Sequence, residues 1–546
     1  MIFATNRRRL LTGGVSGLGA AGLAGCANGA IAGLDKRARS LDIANQDEPL
    51  TLDPQKCAGT WENNIVGNMF VGLTMEDAKA EPIPGMAERW EVSEDALTWT
   101  FYLRPAVWSD GVRCDAHDFV YAFRRVLDPA SMAEYAPLLY PLKNAQQVNK
   151  GEAPPSALGV TALGDRVLEI QLDHPTPYLP QVLKHHAAYP VPKHTLERYG
   201  DAWIKPEHVV VNGPFTLVKW WSNYIVHLRK NPLYWEAGEV VFNDLYFYPT
   251  TNNNTAARGV ESGERGWSTD FPTDLYDDLR GSIPAYVHCA PYLLMECFFF
   301  NCTRAPFNDV RVRQALSMAL DREFIASRIF HTGEQPAYAI VPPGIANYTP
   351  TARYAWAGTP LEARRAEALR LLQAAGYGPD RPLRFALEHS TSRERPRVAV
   401  VAQADWRAIA PWVTVELKPT ESQVHYANMR ARNYDVGDGA WAADFNDARN
   451  YLYLFETRTG GQNYGGYSNL QFDDLVAQSD QASDLVQRAA LMAQAEQIAL
   501  NDCPLCASIF SVSKNLVHPD LTGFSDNLED IHRARWFGIR NFLPKP

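Results

Sequence analysis

The passage that decides the fold runs Ala87-Glu88-Arg89-Trp90-Glu91-Val92-Ser93-Glu94-Asp95-Ala96-Leu97-Thr98-Trp99-Thr100-Phe101-Tyr102-Leu103-Arg104. Its second half, Leu97 to Leu103, is β-rich and partly alternating, the pattern of a half-buried strand. The strand ends at Pro105, and Ser109-Asp110-Gly111 marks a turn. Asp115 is placed to cap a helix that carries Phe119, Val120, Phe123 and Val126 on one apolar face. Asp128-Pro129 stops that helix.

Working outward, strands and helices continue to mix. Lys219 to Lys230 reads as another aromatic-rich β segment, ended by Asn231-Pro232. Val310 to Ile329 and Leu361 to Ala375 read as helices, the second stopped by Gly376. Asn469 to Ala499 reads as two helices, and Leu505 to Val512 as a strand. Such mixing implies α/β or α+β lobes. A chain of 546 residues is long enough for two or three domains. No internal repeat or low-complexity tract interrupts it. The 14 Trp and 24 Tyr supply flat amphipathic surface for core packing or for gripping a ligand.

The N-terminus reads as an address. Arg7-Arg8-Arg9-Leu10-Leu11-Thr12 leads into a Gly/Ala-rich stretch ending Leu23-Ala24-Gly25-Cys26. A positive start, a short apolar run and small residues before a cut site make a secretory signal, expected over residues 1–25. The run is too short to span a membrane, which takes about 20 residues. The arginines resemble a twin-arginine export signal. Leu-Ala-Gly-Cys resembles the bacterial lipobox, so Cys26 is expected to carry acyl chains. Two or more chains anchor stably, since each buried CH₂ contributes about 0.8 kcal/mol. Residues 26–41 then read as a lipid-anchored tether. Ala27, in place of Asp, leans towards the outer membrane. The net charge of -10 leaves no electrostatic footprint for nucleic acid.

Few residues suggest catalysis. Gly17-Leu18-Gly19-Ala20-Ala21-Gly22 fits a dinucleotide-binding pattern but lies in the signal, with no strand before it. The mature chain has no GxSxG, HExxH or P-loop. His185-His186 is expected to be structural. Besides Cys26 there are seven cysteines, an odd number, so at least one stays free. Cys503-Pro504-Leu505-Cys506 lacks the second pair a zinc site needs and reads as buried thiols or a local disulfide. No enzyme, cofactor or metal is expected.

The ordered landmarks resemble the family 5 extracellular solute-binding proteins, in their oligopeptide-binding branch. They are Glu48-Pro49-Leu50-Thr51-Leu52-Asp53-Pro54 as an opening strand, the 87–121 passage, Asn212-Gly213-Pro214-Phe215, Asn231-Pro232-Leu233-Tyr234-Trp235, and Pro306 to Ala315. The resemblance runs from about Glu48 to the C-terminus. It implies an α/β, type II periplasmic binding protein fold of the large cluster C kind, with two hinge-linked lobes and an extra lobe. Carried over, lobe I takes residues 42–60, 184–291 and 511–546. The extra lobe II takes 61–183, and lobe III takes 292–510.

The resemblance also implies a function: capture of oligopeptides for an ABC transporter permease and its ATPase, by a monomeric lipoprotein in the periplasm of a Gram-negative bacterium. Trp441-Ala442-Ala443-Asp444-Phe445-Asn446 resembles the segment that supplies a carboxylate to the peptide ammonium, which makes Asp444 the expected ammonium partner. Trp441, Tyr292 and Glu48 fall on cleft positions, Glu48 on the first strand. Arg395, among Arg393, Arg395 and Arg397, falls near a position that meets the ligand carboxylate. Two departures matter. Ala442 replaces a cysteine, so that branch's bridge cannot form, and Asp438 stands where an arginine serves ligand carboxylates. The alternatives keep the fold and bind a cell-wall peptide, a sugar, a metal complex or haem, or use a peptide as a sensor or chaperone.

Overall fold

The structure, a computed structural model, describes residues 33–392 and 394–540. The leader, Cys26, Arg393 and residues 541–546 lie outside the described residues. No described helix is long and apolar enough to cross a membrane.

A twelve-stranded mixed sheet organises the chain. Its order runs Phe215–Trp221, Ile225–Lys230, Asp244–Tyr248, Ser40–Ala44, Trp267–Ser268, Leu505–Val517, Val287–Phe300, Val436–Ala442, Leu383–Ser390 and Val413–Thr420, with two short strands off this path. The two longest strands, Val287–Phe300 and Leu505–Val517, lie at its centre and pair antiparallel. Their register breaks between Pro291 and Met295. On one side of the break Val287 to Pro291 pair with Val512 to Leu516, and on the other Met295 to Phe299 pair with Leu505 to Phe510. The sheet thus has two wings joined by two continuous strands.

Side-chain alternation sets the cores. Met295, Cys297 and Phe299 point into one core with Phe472 and Met492. Phe298 and Phe300 point into another with Phe385 and Trp406. A strand buried on both faces reads as a continuous apolar run, as Cys297 to Phe300 does. The other wing shares its core with a smaller antiparallel sheet, ordered Ala87–Val92, Thr98–Leu103, Val167–Gln171 and Val160–Gly164.

That small sheet contains the opening passage. Trp99, Phe101 and Leu103 are buried while Thr98, Thr100 and Tyr102 are half-buried. Asp115 caps helix Ala116–Val126 by accepting from the His117 N–H, and Asp118 returns the bond to the Asp115 N–H. Such a cap contributes about 1 kcal/mol.

Four expectations change. Lys219 to Lys230 belongs to a hairpin, Phe215–Trp221 and Ile225–Lys230, turning at 222–224. The expected helix from Val310 to Ile329 ends at Ala319, because Asp321 caps a new turn and Arg322 dives into the core. There its guanidinium donates to the carbonyls of Ser317, Ala337 and Ala507. The chain joins the sheet early: Leu34–Asp35 pairs with Ser40 and Leu41, within the stretch read as tether. Glu48 is in the loop after Ser40–Ala44 and not on a strand, since that strand ends four residues earlier.

Candidate functional site

The site grows from the end of strand Val436–Ala442. Beyond Ala442 the chain leaves the sheet and is pinned to its neighbour: the Ala443 N–H donates to the Leu293 carbonyl at 2.8 Å, and the Tyr451 hydroxyl donates to the same oxygen at 2.7 Å. Asn450 ties the turn together. Its Oδ1 accepts from Trp441 Nε1 at 2.8 Å and from the Asp444 N–H at 3.3 Å. Among the described residues, the hydrogen bond to the Asp444 carboxylate comes from Asn450 Nδ2, at a long 3.5 Å.

Asp444 is therefore a half-buried acid without a cation among the described residues. Burial pushes its carboxyl up to about 7, and the Asn450 amide opposes this only weakly. A carboxylate held at such cost marks a functional site. Its charge reaches the phenols of Tyr135, Tyr451 and Tyr453, all pushed up first by burial. Tyr292, within the register break, acts on Tyr135 and Tyr451. Trp441 meets Tyr453 edge-on, with ring centroids 5.6 Å apart. The structure thus brings Asp444, Trp441 and Tyr292 into one neighbourhood with Tyr135, Tyr451 and Tyr453.

Tyr135 comes from across the sheet break, where it packs on His185 and His186 at 4.6 and 5.4 Å. The two histidines lie in a short 3₁₀ turn with rings 4.1 Å apart, so they share one face, unlike neighbours in a strand. Burial lowers both, His186 to about 4, and His186 Nδ1 donates to the Pro54 carbonyl. They form a neutral aromatic support.

The other two expected residues sit apart from this group. Glu48 Oε1 accepts from Trp220 Nε1 at 3.0 Å, and Glu48 Oε2 is enclosed without a hydrogen-bond partner among the described residues. Arg395 starts helix Arg395–Arg407 and is held by its own protein: Nη2 pairs with Glu296 at 2.6 Å, and Nη1 donates to the Gly439 carbonyl at 2.9 Å and lies 3.5 Å from Asp438. The row of charge continues through His425, 2.8 Å from Asp438 and 3.5 Å from Glu388, which meets Lys418 at 2.7 Å. Burial works against the charge of both His425 and Asp438. Their mutual hydrogen bond wins, lifting His425 and, with Arg395, holding Asp438 down. All seven cysteines among the described residues are free, including Cys503 and Cys506.

Sequence reasoning missed Tyr135, Tyr451 and Tyr453. The last two follow the Trp441–Asn446 motif closely, and Asn450 with them completes one turn. Tyr135 carries no local signal.

The chain matches the profile of the bacterial extracellular solute-binding proteins, family 5 Middle, over residues 81–463. It is 34% identical over 506 residues to the periplasmic oligopeptide-binding protein OppA of Salmonella typhimurium, covering 91% of this chain and 92% of that one. It superposes on Haemophilus influenzae OppA in complex with the peptide RPPGFSPFR with a TM-score of 0.83 at 32% identity, covering 93% of this chain and 99% of that one. The Escherichia coli murein tripeptide-binding protein MppA superposes at 0.85, also at 32% identity with 93% and 99% covered. The unliganded open form of MppA superposes less well, at 0.76, with 93% and 98% covered. The conformation here is thus nearer the former than the open form.

Proposed function

Since this chain belongs to the family 5 bacterial extracellular solute-binding proteins, we propose that it is the periplasmic peptide-capturing subunit of an ABC importer. The observation that carries this reading is Asp444: a carboxylate beside several phenols, raised by burial and without a cation among the described residues. A peptide ammonium relieves that cost with a charge-assisted hydrogen bond. Trp441, Tyr292 and Tyr135 flank the first residues of the ligand, while Glu48, bonded to Trp220, stands apart from them. Arg395, occupied by Glu296 and Asp438, shapes the neighbouring wall and leaves the ligand carboxylate to other groups.

The wings correspond to lobes that hinge where the two long strands change register. Lobe I takes 42–60, 184–291 and 511–546, the extra lobe 61–183, and lobe III 292–510. The separate cores on either side of the break support the boundary between lobe III and the rest, whereas lobe I and the extra lobe share one core. Ligand favours the closed arrangement through contacts made from both sides, and the closed form delivers the peptide to the permease and its ATPase. Export through the N-terminal signal and acylation of Cys26 hold the monomer at a membrane facing the periplasm. No catalytic step is part of this function.

Native mass spectrometry of the protein purified from its own periplasm tests the reading. Bound masses that fragment as peptides and vanish on unfolding and refolding are expected. A single non-peptide ligand in their place overturns it.

A further inference from the structure

The residue after Asp444 makes a contact that ligand capture alone does not require. Phe445 belongs by sequence to the wing that runs from Leu293 to Phe510, and its neighbours Ala448, Tyr451 and Leu452 pack in that wing's core. Its own ring does not. Phe445 is buried in the opposite core, whose other members lie between Leu34 and Trp267 or between Val517 and Ile539. There it stacks on Tyr178, with centroids 4.9 Å apart and planes 4° from parallel. Tyr178 precedes the short helix Leu179–Leu183 and is 6% exposed.

The turn behind Phe445 is anchored to its own wing by buried ion pairs. Arg488 and Asp447 form a bidentate pair at 2.7 and 2.8 Å, each side chain 1% exposed. The Arg488 guanidinium also lies 5.1 Å from the centre of the Tyr178 ring. Tyr178 therefore has Phe445 and a cation of the opposite wing within contact range. Arg449, in the same turn, is held by Asp480 at 2.9 Å. Separation of the wings exposes both aromatic rings and leaves the Arg488 cation without its π-face.

We propose that Tyr178 and Phe445 form a closing contact of the cleft, a positioning pair that couples occupation of Asp444 to closure. Because Phe445 follows Asp444 directly, a ligand ammonium held by the Asp444 carboxylate lies one residue from the ring that docks on Tyr178. The stack adds affinity only in the closed state, so it slows release without touching the ligand. This inference rests on the reading that the wings close around a peptide.

The test uses the mature wild-type chain with Tyr178→Ala, Tyr178→Leu and Tyr178→Phe. Tyr178→Leu keeps apolar volume should the alanine variant fail to fold. Release of a fluorescent peptide is followed by stopped flow, and the radius of gyration of the ligand-free proteins by X-ray scattering. Loss of the stack is expected to speed release roughly tenfold in the alanine or leucine variant with association nearly unchanged, while Tyr178→Phe behaves as wild type. The ligand-free alanine or leucine variant is expected to be more expanded. Wild-type release rates and dimensions in folded Tyr178→Ala or Tyr178→Leu overturn the proposal. Failure of the wild-type chain to bind any peptide instead sinks the peptide reading, and scattering still decides whether the contact holds the cleft closed.

Discussion

Replacing Asp444 by Asn keeps the side chain's shape and its place beside Asn450 while removing the charge. The structure then calls for opposite effects on stability and binding. Burial raises the Asp444 carboxyl from 3.8 to about 7. That is roughly three units, or about 4 kcal/mol at ~1.4 kcal/mol per unit, as a ceiling. The side chain is only half-buried, so screening reduces the stability effect to roughly 1–2 kcal/mol. The sign follows from linkage. The folded value lies above the unfolded one, so the penalty is absent below pH 3.8, grows as pH rises, and is complete above about 7. Asp444→Asn is therefore expected to unfold at higher urea than the wild type at pH 8 and at the same urea near pH 3. Peptide affinity moves the other way, falling by roughly 2–5 kcal/mol because the ammonium loses its buried partner. Urea melts at both pH values and calorimetric titration at pH 8 measure the two effects. A variant that binds as the wild type does, or that is less stable than it at pH 8, refutes the reasoning.

Three further outcomes follow. Wild-type affinity falls about tenfold per pH unit below 7 as Asp444 protonates, and binding at pH 6 releases a proton, visible as buffer-dependent heat; flat affinity between pH 5 and 8 contradicts this. Arg395→Met lowers stability by roughly 3–5 kcal/mol, because Glu296 and Asp438 lose a buried partner. Amidating the ligand's C-terminus should change wild-type affinity little; a large loss on amidation that Arg395→Met abolishes would assign Arg395 to the ligand. Lys184→Met leaves Glu529 buried and unpaired, the two now being 2.7 Å apart with 3% and 5% exposure. It should cost roughly 3–5 kcal/mol in urea unfolding, and wild-type stability would contradict that pairing.

How much of this was legible in the sequence depended on how local the cause was. The Thr98–Leu103 strand and the Asp115 cap are written within a few residues, and both are found. The end of the helix at Ala319 is not, because it depends on where Arg322 finds its carbonyls, one of them at Ala507. The Trp441–Asn446 motif brought Asp444 into view, but its surroundings draw in Tyr135 from some 300 residues away. Arg395 shows the same limit for charge. Its residue type suits a ligand carboxylate, yet Glu296 and Asp438, 99 and 43 positions distant, already hold it. Glu48 was placed by its neighbours on a strand that ends at Ala44.

The most direct test of the central claim is a calorimetric titration of the stripped, refolded mature protein with short peptides and their N-acetylated counterparts at pH 8. Asp444 as the ammonium partner requires tight binding of the free peptides and a loss of roughly 2–5 kcal/mol on acetylation. Equal affinity for both forms would contradict it, and would remove the Asp444 carboxylate from ligand recognition.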